Sequence, residues 1–164
     1  GINELTQPEL TGDWEWKLGR IEKGEFTREE FMREIAEMTR HMVERGGGGV
    51  LVGTSSVSAI DGYPRGQAYA ASKAGLSAMI RGCAIELAKH RINAHSLVVG
   101  WTETPFVSKE LGNATFEESV MKRMPQRRWG EPGDFARIAV YLAGGVGGFH
   151  TGDEIVIDGG YTIF

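Results

Sequence analysis

Three short apolar runs alternate with long amphipathic stretches, and that alternation restricts the fold more than any other feature of the chain. Val50 to Thr54, Asn93 to Val99 and Asp153 to Asp158 each have strand length. Between the first two, Tyr69, Lys73, Leu76, Ile80, Cys83 and Leu87 fall on one face of a helix running from about Gln67 to His90. Between the second and third, Pro132 fits a first helical turn, and Phe135, Ile138, Ala139 and Leu142 give that helix a buried face. Strands joined through helices pair in parallel, so the expectation is an α/β sheet of about three strands with flanking helices. Active groups of such sheets gather at the strand C-terminal ends. Ser56, the Gly100 to Thr104 turn and Asp158 all lie there.

The 164 residues suffice for a real core, and 41% hydrophobic with 24% charged residues is a globular balance. Twenty-four glycines predict many tight turns. The single cysteine excludes an internal disulfide framework and any multi-cysteine zinc site, and agrees with a reducing compartment. No metal-ligating set is read from the sequence. No apolar run approaches the length of a membrane span and no signal-peptide pattern opens the chain, so the expected location is the cytoplasm, with no membrane partner. Of the net charge of −4, residues 1 to 45 carry eleven acids against seven bases, and residues 46 to 164 carry eleven of each. The acidic N-terminal part argues against a nucleic-acid partner.

The N-terminal segment, 1–45, reads as a helical hairpin. Trp14, Leu18 and Ile21 mark a short helix from Thr11, which Gly24 can end. A second helix has Thr27 as N-cap, Glu30 completing a capping box, Phe26 against Phe31 as a staple, and an apolar stripe of Phe31, Ile35, Met38 and Met42. Gly46 to Gly49 stands before a strand rather than after one. A phosphate cradle needs the order strand, glycine turn, helix, so this run is read as a connection. After the second strand, the stretch to Arg128 contains a second capping box at Thr115 and Glu118 and has the length of a substrate lid.

The stretch SVSAIDGYPRGQAYAASK, Ser56 to Lys73, carries the chemistry. Tyr69 and Lys73 are four residues apart on a helix and share a face, and a nearby cation favours a phenolate. Tyr69 is therefore a candidate acid and base near neutral pH, and Ser56 a candidate to orient a carbonyl or alcohol oxygen. Cys83 reads as a small buried hydrophobe.

From about Gly49 to Phe164 the motifs TSS, YAASK, NAHSLVVGWTETP, RWGEPGDFA and TGDEIVIDGGYTIF follow one another. In that order they resemble the C-terminal half of a short-chain dehydrogenase/reductase. The resemblance implies a truncated Rossmann-like, doubly wound sheet, with residues 46–164 as the catalytic half. Ser56 would polarise the substrate oxygen, Tyr69 would transfer the proton and contact the cofactor, and Lys73 would bind nicotinamide ribose. Val99, Gly100, Thr102 and Thr104 would hold the nicotinamide of NAD or NADP. Trp101, Phe106 and the 105 to 125 segment would shape the substrate pocket. The implied function is nicotinamide-dependent interconversion of a small alcohol and carbonyl.

The departures from the family pattern are the T-G-x-x-x-G-x-G turn, the N-N-A-G strand and a relay asparagine, none of which is found, and Val99 in place of a proline before Gly100. They predict impaired cofactor binding. Residues 8–43, with T-G-x-W-E, L-x-x-I-E-x-G and F-M-x-E-I in order, resemble a segment near the C-terminal end of the core of bacterial type IA topoisomerases of the topoisomerase III kind. A chimera joined near Met42 to Gly49 accounts for both resemblances. The alternative is a non-catalytic, truncated or chimeric fragment that folds by homo-oligomerising through exposed strand edges.

Overall fold

A computed structural model describes residues 28–107, 112–144 and 148–164. The chain divides into two compact units, Gly1–Gly46 and Gly47–Phe164. The first contributes helix α1 (Arg28–Arg45). Ile35 is buried and Met42 half-buried, whereas Met38 is exposed. Ile35 and Met42 are two turns apart on one face, and Met38 lies about 60° around from them, so the expected stripe narrows. On the exposed face Arg40 pairs with Glu37 and, at 2.7 Å, with Glu44. The helix expected from Thr11, the Thr27 cap and the Phe26–Phe31 staple lie outside the described residues and side chains.

In the second unit, β1 (Gly49–Ser56), β2 (Ile92–Val99) and β3 (Glu154–Ile157) form one parallel sheet in the order β1-β2-β3. The register sets Leu51 beside Ala94, Ser56 beside Val99, and Val99 beside Ile157. β1 and β2 run slightly longer than their apolar cores suggested, and β3 is shorter. Asp153 and Asp158 flank β3 instead of belonging to it; the Asp153 carboxylate pairs with His95 across to β2, and that of Asp158 accepts the Gly160 and Thr162 amides of the turn that follows. Gly48, at φ 79°, shows why the connection before β1 is glycine: an added Cβ would stand 2.5 Å from the Arg91 carbonyl oxygen.

A one-turn helix α2 (Ser58–Asp61) and the long helix α3 (Gln67–Leu87) cross from β1 to β2. The crossover ends in a 3-10 turn, Ala88–His90, so the expected span to His90 is helical with a tightened last turn. Leu51 and Ala94 from the sheet meet Ile80 and Ala84 from α3, with Leu76, Met79 and Cys83 packed around them. Gly53 is what lets the helix settle so close, since a Cβ there would lie 2.7 Å from Ile80 Cγ1. Burial, with Glu86 nearby, pushes the Cys83 thiol up, as suits a packing residue rather than a nucleophile.

Beyond β2 come α4 (Ala114–Arg123) and α5 (Ala136–Ala143). The cap of α4 is Asn113, whose Oδ1 accepts the Phe116 amide at 3.1 Å, not Thr115 as the spacing suggested. Asn113 is among the strongest caps available and stands one residue before the first helical position. Glu118 pairs instead with Lys122 at 2.9 Å. α5 follows a 3-10 turn, Pro132–Phe135, with Pro132 in its first turn and a reciprocal box between Glu131 and Asp134. Leu142 is buried and Phe135 and Ile138 half-buried, but Ala139 is exposed, one position off the expected face. No helix among the described residues is long and apolar enough to cross a membrane.

Ile80 is 1% exposed at the centre of this contact. Ile80→Ala should lower stability by about 2–5 kcal/mol. A urea titration would show this as a lower midpoint with an unchanged slope.

Candidate active site

The C-terminal end of β1 turns sharply. The Val57 amide donates to the Val99 carbonyl at 3.0 Å, and Ser58 opens α2. Ser56 is 8% exposed, and its Oγ accepts the Ser58 amide at 3.2 Å and lies 3.3 Å from Ser58 Oγ. The hydroxyl is thereby held by a local turn rather than left to rotate.

Helix α3 starts beside this turn and carries Tyr69 and Lys73. Lys73 Nζ donates to the Thr54 carbonyl at 2.9 Å and stands 5.7 Å from the Tyr69 ring centroid. Burial pushes the Lys73 ammonium below the usual lysine range. Two further bonds fix the same part of α3 on β1. Ser77 Oγ donates to Ser55 Oγ at 3.0 Å, and Ser55 Oγ donates to the Lys73 carbonyl at 3.2 Å.

The turn after β2 completes the site. Ser56, Tyr69, Lys73, Val99, Gly100, Thr102 and Thr104, all of the expected site residues, line one cavity of about 190 Å³. Two of them have local duties as well. Gly100 is required by the sheet, since a Cβ would fall 2.5 Å from Asp158 Cα. Thr102 Oγ1 donates to the Gly100 carbonyl at 3.0 Å, and the residue bridges to Gly130, so only its acceptor side is open to a ligand.

Trp101 walls the cavity and is itself enclosed by rings. Phe116, Trp129, Tyr161 and Tyr63 stand edge-on to it at 5.2, 6.0, 6.3 and 6.4 Å. Edge-to-face pairs contribute roughly 0.5–1.5 kcal/mol each beyond area burial. The expected pocket-shaping segment therefore acts as a packed wall: Phe116 and Val120 of α4 join Met124 and Trp129 in one cluster. Arg123 ties α4 to α2 through Asp61 at 2.7 Å and lies over the Tyr161 ring at 4.3 Å. Nothing is described of the Phe106 side chain.

Sequence reasoning missed Tyr63, Ser58 and the Thr54 carbonyl. Tyr63 lines the cavity and stacks edge-on to Tyr69 at 6.2 Å. Its setting among Gly62, Pro64 and Gly66 marked a loop and hid it. A residue between Tyr69 and the Trp101 wall is visible only in three dimensions.

The residues present suit the nicotinamide end of a dinucleotide. The cavity brings together an ammonium, a phenol and hydroxyls, and the buried Nε1 donor of Trp101, one of its lining residues, has no hydrogen-bond partner among the described residues. A ligand rich in acceptors and hydroxyls matches that set.

A family model described as enoyl-(acyl carrier protein) reductase matches residues 30–162. The chain belongs to the short-chain dehydrogenase/reductase family of oxidoreductases. The match begins earlier than residue 49 and takes in most of α1, so Glu30 to Val43, the latter part of the topoisomerase-like stretch, fall within the dehydrogenase/reductase pattern. The chain is 34% identical over 129 residues to an L-rhamnose 1-dehydrogenase (NAD(P)(+)) of Azotobacter vinelandii, covering 79% of this chain and 50% of that one. With 5-keto-D-gluconate 5-reductase of Escherichia coli it shares 33% over 126 residues, 77% of this chain and 49% of that one. The crystal structure of a gluconate 5-dehydrogenase from Burkholderia cenocepacia, in complex with NADP and tartrate, superposes with a TM-score of 0.73 at 30% identity. That superposition covers 76% of this chain and 49% of that one. The chain spans about half the length of the curated relatives it matches.

Asp158 stands against Gly100, beside the turn after β2. Its carboxylate accepts the Gly160 amide, the Thr162 amide and Thr162 Oγ1 at 2.8, 2.8 and 2.7 Å. Burial pushes the carboxyl up, but these bonds outweigh it and hold it below the usual carboxylate value. A pKa lower in the folded than in the unfolded chain means the unfolded chain binds more protons in the acid range. The contribution is present above the ordinary aspartate pKa of about 3.9 and is lost as pH falls through the folded value. Asp134, held down to about 2 by Arg128 and the Glu131 amide, acts in the same direction. The urea midpoint should therefore fall as pH drops below about 4. Asp158→Asn should flatten that acid limb, leaving the share of Asp134.

Proposed function

We propose that this chain carries the acid–base half of an NAD(P)-dependent oxidoreductase that interconverts a small-molecule alcohol and carbonyl. The observation that carries the reading is the shared cavity: Ser56, Tyr69 and Lys73 from one crossover meet Val99, Gly100, Thr102 and Thr104 from the next turn. Ser56, held by Ser58, orients the substrate oxygen. In the reducing direction Tyr69 gives its phenolic proton to that oxygen and recovers it from solvent; in the oxidising direction it takes the alcohol proton. Lys73, fixed on the Thr54 carbonyl, presents its remaining N–H groups to the ribose hydroxyls. Thr104 and the Trp101 indole N–H are donors for the carboxamide side. When bound, the nicotinamide supplies or accepts the hydride.

The substrate class follows from the lining. Its only cation among the described residues is Lys73, and no carboxylate lines it; the rest is hydroxyl, aromatic and aliphatic. Such a lining favours a neutral polyhydroxy or carbonyl compound over a sugar acid, whose carboxylate would lack a partner. This lining supports a neutral sugar, as in the name of the L-rhamnose 1-dehydrogenase, as the first substrate to test.

A second reading, a non-catalytic module that self-associates, draws on exposed apolar side chains: Ile85 at 81%, Val140 at 72% and Val52 at 42%. The family pattern runs from residue 30 through the expected junction near Met42 to Gly49, so it lends no support to a chimera joined there; the sequence of the encoding locus tests it.

Titration of NADH and NADPH followed by nicotinamide fluorescence should show saturable binding, weakened as the missing glycine turn predicts. Tyr69→Phe should leave the circular dichroism unchanged while lowering turnover of neutral sugars by about 10²–10⁴-fold. A folded protein that binds neither cofactor at millimolar concentration, and sediments as an oligomer, would favour the second reading. Undiminished turnover in Tyr69→Phe would remove Tyr69 from the mechanism.

A further inference from the structure

At the opposite end of β3 from the cavity, three potential metal ligands meet that the proposed chemistry does not use. His95 projects from the middle of β2, Asp153 stands just before β3, and His150 lies on the approach to it. His95 Nδ1 is 2.5 Å from Asp153 Oδ1, and His150 Nε2 is 2.7 Å from Asp153 Oδ2. The two imidazoles stand edge-on with centroids 4.8 Å apart, and one ligand atom from each of the three residues lies within 4.8 Å of the others. It is the only such group among the described residues.

We propose that His95, His150 and Asp153 form a binding site for a divalent transition-metal ion of the zinc(II) class, which clips the approach to β3 onto β2. Two imidazoles and one carboxylate, with a position left for water, suit zinc, cobalt or nickel better than magnesium or calcium, which prefer all-oxygen shells. Metal–ligand bonds of 2.0–2.2 Å give a tetrahedral edge of about 3.3 Å. The imidazole–carboxylate separations of 2.5 and 2.7 Å need to spread by under about 1 Å, and the widest separation of the ligand atoms, up to 4.8 Å, to close by about 1.5 Å, to admit the ion.

The framework around them is firm. His95 is 2% exposed, and backbone bonds brace the approach: the Gly152 amide donates to the Ala94 carbonyl at 2.7 Å, and the Ser96 amide to the Asp153 carbonyl at 3.0 Å. Thr151 Oγ1 accepts the Ala94 amide at 2.9 Å. His150 and Asp153 side chains are 37% and 34% exposed, which leaves an entry path.

An outer partner is also in place. Tyr141 Oη lies 3.3 Å from His150 Nδ1, with the rings 5.8 Å apart. With metal bound, a hydrogen bond there would hold the His150 proton on Nδ1 and leave Nε2 to the metal, the usual arrangement for a ligating histidine. In the metal-free protein each imidazole donates to the carboxylate. Metal binding moves those protons to the outer ring nitrogens, so neutral rings exchange two N–H···O bonds for two N–metal bonds without net proton release. A protonated ring would release its proton to solvent.

The test uses the whole chain, stripped with chelator and titrated with Zn²⁺, and with Co²⁺ for its visible absorption. One equivalent should bind, raise the melting temperature and, for cobalt, give the bands of a low-symmetry site with nitrogen and oxygen ligands. His150→Gln and Asp153→Asn, both at partly exposed positions, should each weaken zinc binding by at least about 100-fold, and Tyr141→Phe by about 10-fold. Far-ultraviolet circular dichroism confirms that the variants are folded. Absence of stoichiometric binding by the folded wild type, or binding unchanged in His150→Gln and Asp153→Asn, would overturn the proposal. The readout is metal affinity, so it stands or falls independently of any cofactor or turnover result.

Discussion

The seat of α3 on β1 is the constraint on which the rest depends. Ile80 fits where Gly53 has no side chain, and Leu51, Ala84 and Ala94 close around it. That apolar contact fixes the height of the helix, and the polar bonds from Ser77, Ser55 and Lys73 fix its position along the strand. Because Tyr69 lies one turn before Lys73, any slip of the helix would carry the phenol away from the end of β1. Packing at Ile80 and chemistry at Tyr69 are thus two ends of one rigid element.

The second constraint is the close approach of β2 and β3 at their C-terminal ends. The Gly100 amide donates to the Ile157 carbonyl at 2.9 Å, and the missing Cβ of Gly100 lets Asp158 come in. Asp158 then folds the last residues back through Gly160 and Thr162, which brings Tyr161 against Trp101. A glycine that the family pattern links to the cofactor thereby also serves the wall of the substrate side. Its substitution would act on both, so loss of activity at Gly100 would not by itself identify a cofactor contact.

The sheet and the reactive face of α3 were legible because they obey strong local rules. Strand-length apolar runs separated by helices force parallel pairing, and the four-residue spacing of Tyr69 and Lys73 fixes their common face. What escaped depends on contacts between distant residues or on competition between near-equivalent local signals. Asn113 out-competes Thr115 as the α4 cap, and Met38 falls outside a stripe that the sequence drew one residue too wide. Tyr63 joins the cavity only because α2 folds the loop back across Trp101.

The least legible feature is the group of His95, His150 and Asp153, since 58 residues separate the first from the last and no spacing rule links them. Burying an imidazole at 2% exposure is costly unless its nitrogens are satisfied, and a carboxylate shared by two imidazoles is one solution. Burial pushes the Asp153 carboxyl up, yet the bonds and charges of His95 and His150 win and hold it below its usual value. The carboxylate is therefore kept ionised, as a metal ligand must be. The short three-stranded sheet has the cavity residues at one end and this polar knot toward the other. β3 has only four residues of ladder, so a clip at its start would add most where backbone pairing gives least.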